Sequence, residues 1–108
     1  MVRNKFKQWA ESSIEQLKEE FISTEFVKHK IDESLVPNPS TGVIHESEKC
    51  LGQVIVWESC QMEYEVVNIG TEEMILWKYI EEISPDTDFT DLLKEYFEVL
   101  QTGINKKK

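Results

Sequence analysis

Two cysteines, three prolines and four glycines are few for a chain of 108 residues. Cys50 and Cys60 do not make a disulfide framework, and a turn near Ser59 would leave them a strand length apart. They read as free thiols, which suits a reducing compartment. The two histidines, His29 and His45, show no ligand spacing with either cysteine, so no metal site is expected. No run of about 18 apolar residues occurs, which excludes a membrane-spanning helix. The opening stretch MVRNKFKQWAESS is basic but lacks the apolar centre of a secretory signal, so a cytoplasmic protein is expected.

The motifs of catalysis are missing too. There is no glycine-rich phosphate loop, no paired-histidine zinc motif and no nucleophile elbow. Cys60 with a histidine could imitate a thiol dyad, but neither histidine stands in a context for one. Glu58, Glu63 and Glu65 are explained as a solvated face, and a glycosidase-like pair would need a pocket and a desolvated acid. Enzyme is the weakest class, and no cofactor is expected.

Positive charge is scarce as well. The chain has 12 basic against 21 acidic residues, a formal net charge of −9. Between Glu58 and Glu98 only Lys78 and Lys94 offset the acids, while Arg3, Lys5 and Lys7 cluster at the start. Such a body repels nucleic acid and steers toward a basic partner, although acidity also serves solubility. With 40% hydrophobic residues and dispersed aromatics the chain should fold, and its length suits one domain.

What is present centres on Leu51 to Tyr79. Val54-Ile55-Val56-Trp57 is a β-branched and aromatic run, which favours a strand. Glu58 to Gln61 is polar enough to turn. Met62-Glu63-Tyr64-Glu65-Val66 then alternates strictly, with the apolar side chains on one face and both glutamates on the other. Asn68 to Thr71 supplies a second turn, with Gly70 suited to a positive φ. Met74 to Ile80 is the third run, with Leu76 and Trp77 on opposite faces. Connections this short make an antiparallel meander over about residues 51–80.

The flanks read as helices. Phe6, Trp9, Ala10, Ile14, Leu17 and Phe21 make one apolar stripe over residues 2–21, with Trp9 a core residue. Residues 25–31 read as a strand, in which His29 has no catalytic role. Residues 32–48, with the Pro37 to Gly42 cluster, read as a loop. This segment is either a long hairpin tip, with Val43-Ile44-His45 starting the return, or a partner-contacting loop. Ser84 to Asp88 announces a helix over about 87–101, with Phe89, Leu92, Leu93, Tyr96, Phe97 and Leu100 on its apolar face and Gly103 as its stop. Residues 103–108 read as a tail ending in three lysines. The sum is an α+β fold: a four- or five-stranded antiparallel sheet with both helices on one face. The other face would carry Glu63, Glu65 and at least one of the meander tryptophans.

The segment Val56-Trp57-Glu58-Ser59, preceded by Leu51 to Ile55, resembles the "ITVWESG" strand and turn of bacterial immunity proteins of the TriTu type. Met62 to Val66 and Ile75-Leu76-Trp77 follow in the order of that family, and Trp9 on the opening helix and the terminal helix Phe89 to Leu100 also agree with it. Cys60 stands where the family carries glycine. The resemblance implies a non-catalytic protein of a polymorphic toxin system that binds and neutralises a cognate toxin. Many toxin domains act on nucleic acid and are basic, which would suit an acidic inhibitor. The expected contact residues are Trp57, Glu58, Glu63, Glu65 and Trp77, aromatic anchors beside carboxylates; the tryptophans could instead be core. A competing class is an acidic cytosolic adaptor that binds an unrelated protein, with Lys106 to Lys108 as a docking tail. An exposed edge strand could also pair two copies as a homodimer.

Overall fold

A computed structural model describes residues 2–29 and 31–105. Helix α1 (Val2–Glu19) leads into five strands: β1 (Ser23–Phe26), β2 (Ser40–Glu46), β3 (Cys50–Trp57), β4 (Met62–Asn68) and β5 (Met74–Ile80). Helices α2 (Phe89–Leu92) and α3 (Lys94–Thr102) follow. The strands form one open antiparallel sheet in chain order, which is the five-stranded form of the expected α+β fold. The tail lysines Lys106 to Lys108 lie outside the described residues.

Alternation decides what each face of the sheet carries. On β3 the side chains of Cys50, Val54 and Val56 are buried, and on β4 those of Met62, Tyr64 and Val66. The register sets Val54 opposite Tyr64 and Val56 opposite Met62, so these residues share one face. Phe6, Ala10 and Leu17 of α1 are buried with them, as are Phe89, Leu93, Tyr96, Val99 and Leu100 of the C-terminal segment. Both helical segments therefore cover the same face. Each such side chain, fully buried, stabilises the fold by about 1.5–3 kcal/mol before chain entropy is counted. Trp9 joins this layer, its ring 5.9 Å from that of Phe6 and 5.8 Å from that of Phe89. Its Nε1 donates to Thr90 Oγ1 at 3.1 Å.

A polar pair is built into the core at His45. Its ring is 1% exposed, and Nδ1 lies 2.8 Å from the Tyr96 hydroxyl. The residue facing His45 across the ladder is Gly52. A Cβ there would stand 2.8 Å from Tyr96 Cζ and nearer still to its hydroxyl oxygen. Glycine is required for close approach, so that the α3 phenol can come against the sheet beside the imidazole. His45 Nε2 has no hydrogen-bond partner among the described residues, and burial lowers the imidazole pKa from 6.5 to about 4. Burial also raises the Tyr96 phenol well above its ordinary value, with the charge of Glu65 adding to it.

Several boundaries differ from the sequence reading. The first strand is Ser23–Phe26 rather than 25–31, and His29 lies beyond it, exposed, with Nε2 3.1 Å from the Ser40 carbonyl. Residues 32–48 contain β2, which begins at Ser40 rather than Val43 and is preceded by a 3-10 turn over Glu33–Leu35. Helix α1 stops at Glu19. Ile22 N–H donates to the Leu17 carbonyl (2.9 Å) and Phe21 N–H to that of Lys18 (3.0 Å), the Schellman closure. Phe21 therefore leaves the stripe: it takes φ 63° and is 86% exposed, while Ile22 occupies the core. In the β4–β5 turn Glu72, not Gly70, has the positive φ, because Asn68 Oδ1 accepts from Gly70 N and Thr71 N and holds that half in an Asx turn. The last helix is broken at Leu93. Asp88 caps its start by accepting from Thr90 N and Asp91 N, and Gly103 ends it at φ 73°.

Candidate partner-binding surface

Among the described residues no helix packs on the face of the sheet opposite α1 and α3. One row across it runs Glu25, Ile44, Gln53, Glu65, Trp77, set by the successive pairings of the five strands. The next rows hold Gly42, Ile55, Glu63 and Tyr79 on one side, and Ser23, Glu46, Leu51, Val67 and Met74 on the other. Leu51, Met74, Trp77 and Tyr79 are exposed large apolar side chains. Ile44, Ile55, Trp57 and Val67 are half-buried beside them. Exposure increases toward β5. Gly42 is buried, with Val27 against the position its Cβ would take, whereas Trp77 at the far side is 56% exposed. Strict alternation therefore produces a broad apolar surface on which carboxylates are interleaved.

Four of the five expected contact residues share this face. Trp57 ends β3 opposite Ser40, Glu63 and Glu65 lie on β4, and Trp77 is the direct cross-strand neighbour of Glu65. Trp77 Nε1 donates to Glu63 Oε2 at 3.0 Å, a diagonal contact that fixes the exposed indole. Among the described residues Glu65 makes no ion pair or side-chain hydrogen bond, so its charge is open to an incoming cation. Glu58 is not gathered with them. It sits in the β3–β4 turn and pairs with Arg3 at 2.8 Å, and Arg3 also pairs with Glu33. Engaged with Arg3, which it shares with Glu33, Glu58 is turned toward α1 and away from the open face.

Sequence reasoning passed over Leu51, Met74 and Tyr79. The signal was present for Leu51 and Tyr79, which lie an even number of positions from Trp57 and Trp77 on the same strands; Met74 lies three from Trp77 and reaches this face only through the irregularity in the β4–β5 register. The β3–β4 turn also accounts for the tetrapeptide after Trp57. Cys60 N–H donates to the Trp57 carbonyl (3.0 Å) and Cys60 takes φ 74°, a three-residue hairpin loop closed by a left-handed residue. Glycine suits that position best, so Cys60 there is strained but tolerated.

Among the described residues no group of three His, Cys, Asp or Glu side chains is placed to hold a metal ion. No helix among the described residues is long and apolar enough to cross a membrane. Compared with known families, the chain matches at residues 4–99 the model of a family described as "Immunity protein TriTu". No curated protein and no solved structure matches it.

Proposed function

The chain belongs to the TriTu immunity protein family, and on that footing we propose that it protects its producing cell by binding and neutralising a cognate toxin of a polymorphic toxin system. It acts by occupancy, without turnover or cofactor, in the cytoplasm. The contact surface is the uncovered sheet face, with Trp57 and Trp77 as anchors and Glu63 and Glu65 as the charges that meet a basic toxin. Glu58 contributes at the margin through its turn. The observation that carries this reading is the face itself: four exposed large apolar side chains on a sheet surface no helix covers. A monomer that needed no partner would rarely leave such a patch open.

The acidic surroundings favour a basic partner over a second copy. Stacking two such faces would oppose Glu25, Glu46, Glu63 and Glu65 to the same residues, at a Coulomb cost that a cationic surface reverses. The test is conditional protection. Deleting the gene should be harmless until the toxin is expressed and lethal afterwards, and Glu63→Gln with Glu65→Gln should weaken protection and flatten the salt dependence of association. Protection that survives substitution of Trp57, Glu63, Glu65 and Trp77 together would move the contact off this face. Growth unaffected by the gene in the presence of every co-expressed candidate toxin would favour the adaptor reading.

A further inference from the structure

The sheet has two edges, β1 and β5, and they are built differently. β1 is four residues long, and the chain beyond it stays against β2 through Val27 N–H donating to the Gly42 carbonyl at 2.9 Å. β5 is seven residues long and reads MILWKYI, with one charge and no proline. Edges are usually blunted by brevity, charge, proline or a covering element, because unpaired backbone groups attract other strands. β5 has little of this protection.

The ladder fixes which backbone groups of β5 point outward. Asn68 N donates to the Glu73 carbonyl (2.8 Å) and its carbonyl accepts from Glu72 N (2.7 Å), so even-numbered β4 residues bond toward β5. Gln61, odd-numbered, accepts from Trp57 N on β3 (3.0 Å). Met62, Tyr64 and Val66 face Ile80, Lys78 and Leu76, which turns the N–H and C=O of Trp77 and Tyr79 away from β4. The Ile75 carbonyl points the same way and accepts from Asn105 Nδ2 at 2.8 Å, covering the start of the edge. Beyond it, no hydrogen bond among the described residues takes the outward groups of Trp77 and Tyr79.

Charge at the two ends selects what can pair there. Exposed Glu72 and Glu73 precede β5, and exposed Glu81 and Glu82 follow it. An antiparallel pairing of two copies centred on Trp77 would bring 72 and 73 of each beside 81 and 82 of the other, acid against acid at both ends. Shifting the centre to Lys78 would set the two lysines opposite each other. Like charges across a strand pair are destabilising.

We propose that β5 is a strand acceptor. An extended segment of the partner, apolar at its centre and basic at both ends, adds to its outer edge as a sixth strand. This deepens the toxin-binding reading and rests on it. Main-chain bonds at Trp77 and Tyr79 hold the incoming strand, and the basic ends meet Glu72, Glu73, Glu81 and Glu82. The side chains of that strand on the open face would then adjoin Trp77 and Tyr79, joining edge and face into one contact.

Proline tests this without cutting the native sheet, since an edge strand accepts it where the N–H faces outward. The probe is a fluorescein-labelled peptide with a valine- and threonine-rich centre and paired lysines at both ends, followed by anisotropy with the full chain at low salt. A counterpart with paired glutamates is the control. The lysine-ended peptide should bind at least about tenfold more tightly than its counterpart, and Tyr79→Pro should weaken it at least about tenfold more than Tyr79→Ala. Amide exchange gives a reading that needs no variant: the peptide should slow exchange at Trp77 and Tyr79. Equal losses for the two Tyr79 variants, unchanged exchange at those amides, or indifference to the charge at the peptide ends would each overturn strand addition. So would a dimer of the unaltered chain in sedimentation that Tyr79→Pro dissolves. Toxin protection lost on changing Trp57, Glu63 and Glu65 but indifferent to Tyr79→Pro would remove the strand acceptor and leave toxin binding standing. Peptide capture without toxin protection would do the reverse.

Discussion

Lowering the pH should weaken this protein chiefly through the buried His45. Burial holds its imidazole at about 4 against 6.5 for the free side chain. The folded state therefore binds the proton less well than the unfolded chain, and stability falls as the pH drops. The contribution is complete above about pH 6.5, declines between 6.5 and about 4, and is gone below that. The gap corresponds to about 3 kcal/mol, a large share of the stability of a domain this size. The physical cause is specific: an imidazolium here would be cut off from solvent, with Nε2 unpartnered and its other nitrogen against the Tyr96 hydroxyl. Urea unfolding from about pH 7.5 to about pH 4.5, on the unaltered chain and on His45→Gln, measures it. Glutamine keeps a polar group beside Tyr96 but does not titrate. Acidification also relieves the repulsion of a chain carrying −9, but that change is common to both proteins and cancels in the difference. The difference in unfolding free energy should shrink by about 2–3 kcal/mol across the range. A flat difference would show that His45 is not held neutral, and the account of the buried pair would fail.

Further outcomes follow from single positions. Phe21→Gly should stabilise by about 1 kcal/mol and raise Tm by about 4 °C or more, because the left-handed backbone is relieved and an exposed ring loses almost no packing; an unchanged or lower Tm would refute the strain argument. Gly52→Ala should destabilise by about 1–3 kcal/mol, since the new methyl meets the fully buried Tyr96 ring, and denaturant melts of this variant with and without Tyr96→Phe would show the two changes to be non-additive. Asp88→Ala should cost about 1 kcal/mol by freeing the N–H groups of Thr90 and Asp91, read from the shift in urea midpoint. In a thiol-labelling time course half-buried Cys60 should react in the native protein, while Cys50, buried with its thiol directed at the Val99 carbonyl, should react only after unfolding.

Much of the fold was written locally. Alternation in Met62 to Val66, the β-branched run before Trp57 and the short turns dictated an antiparallel meander, since short connections permit nothing else. The stripe from Phe89 to Leu100 and the capping residues before it announced the terminal helical segment, though not its break at Leu93. The same period of two put Glu63 and Glu65 on one face and Leu76 and Trp77 on opposite faces, but it left open whether the tryptophans were core, which the sheet's packing decides.

The rest depended on contacts between residues far apart in the chain. Ser40-Thr41-Gly42 follows a proline and looks like loop, yet it is strand because β3 offers a ladder for it. Phe21 continues the α1 period, but the Schellman closure turns it outward and hands its place to Ile22. His45 is core only because Gly52 opposite leaves room for Tyr96, a residue 51 positions away. Glu58 adjoins Trp57 in sequence and still leaves the open face, because the turn delivers it to Arg3. Local pattern fixes which side chains can share a face. Only the tertiary structure decides which face is covered, which edge is left open, and which charge has already found its partner.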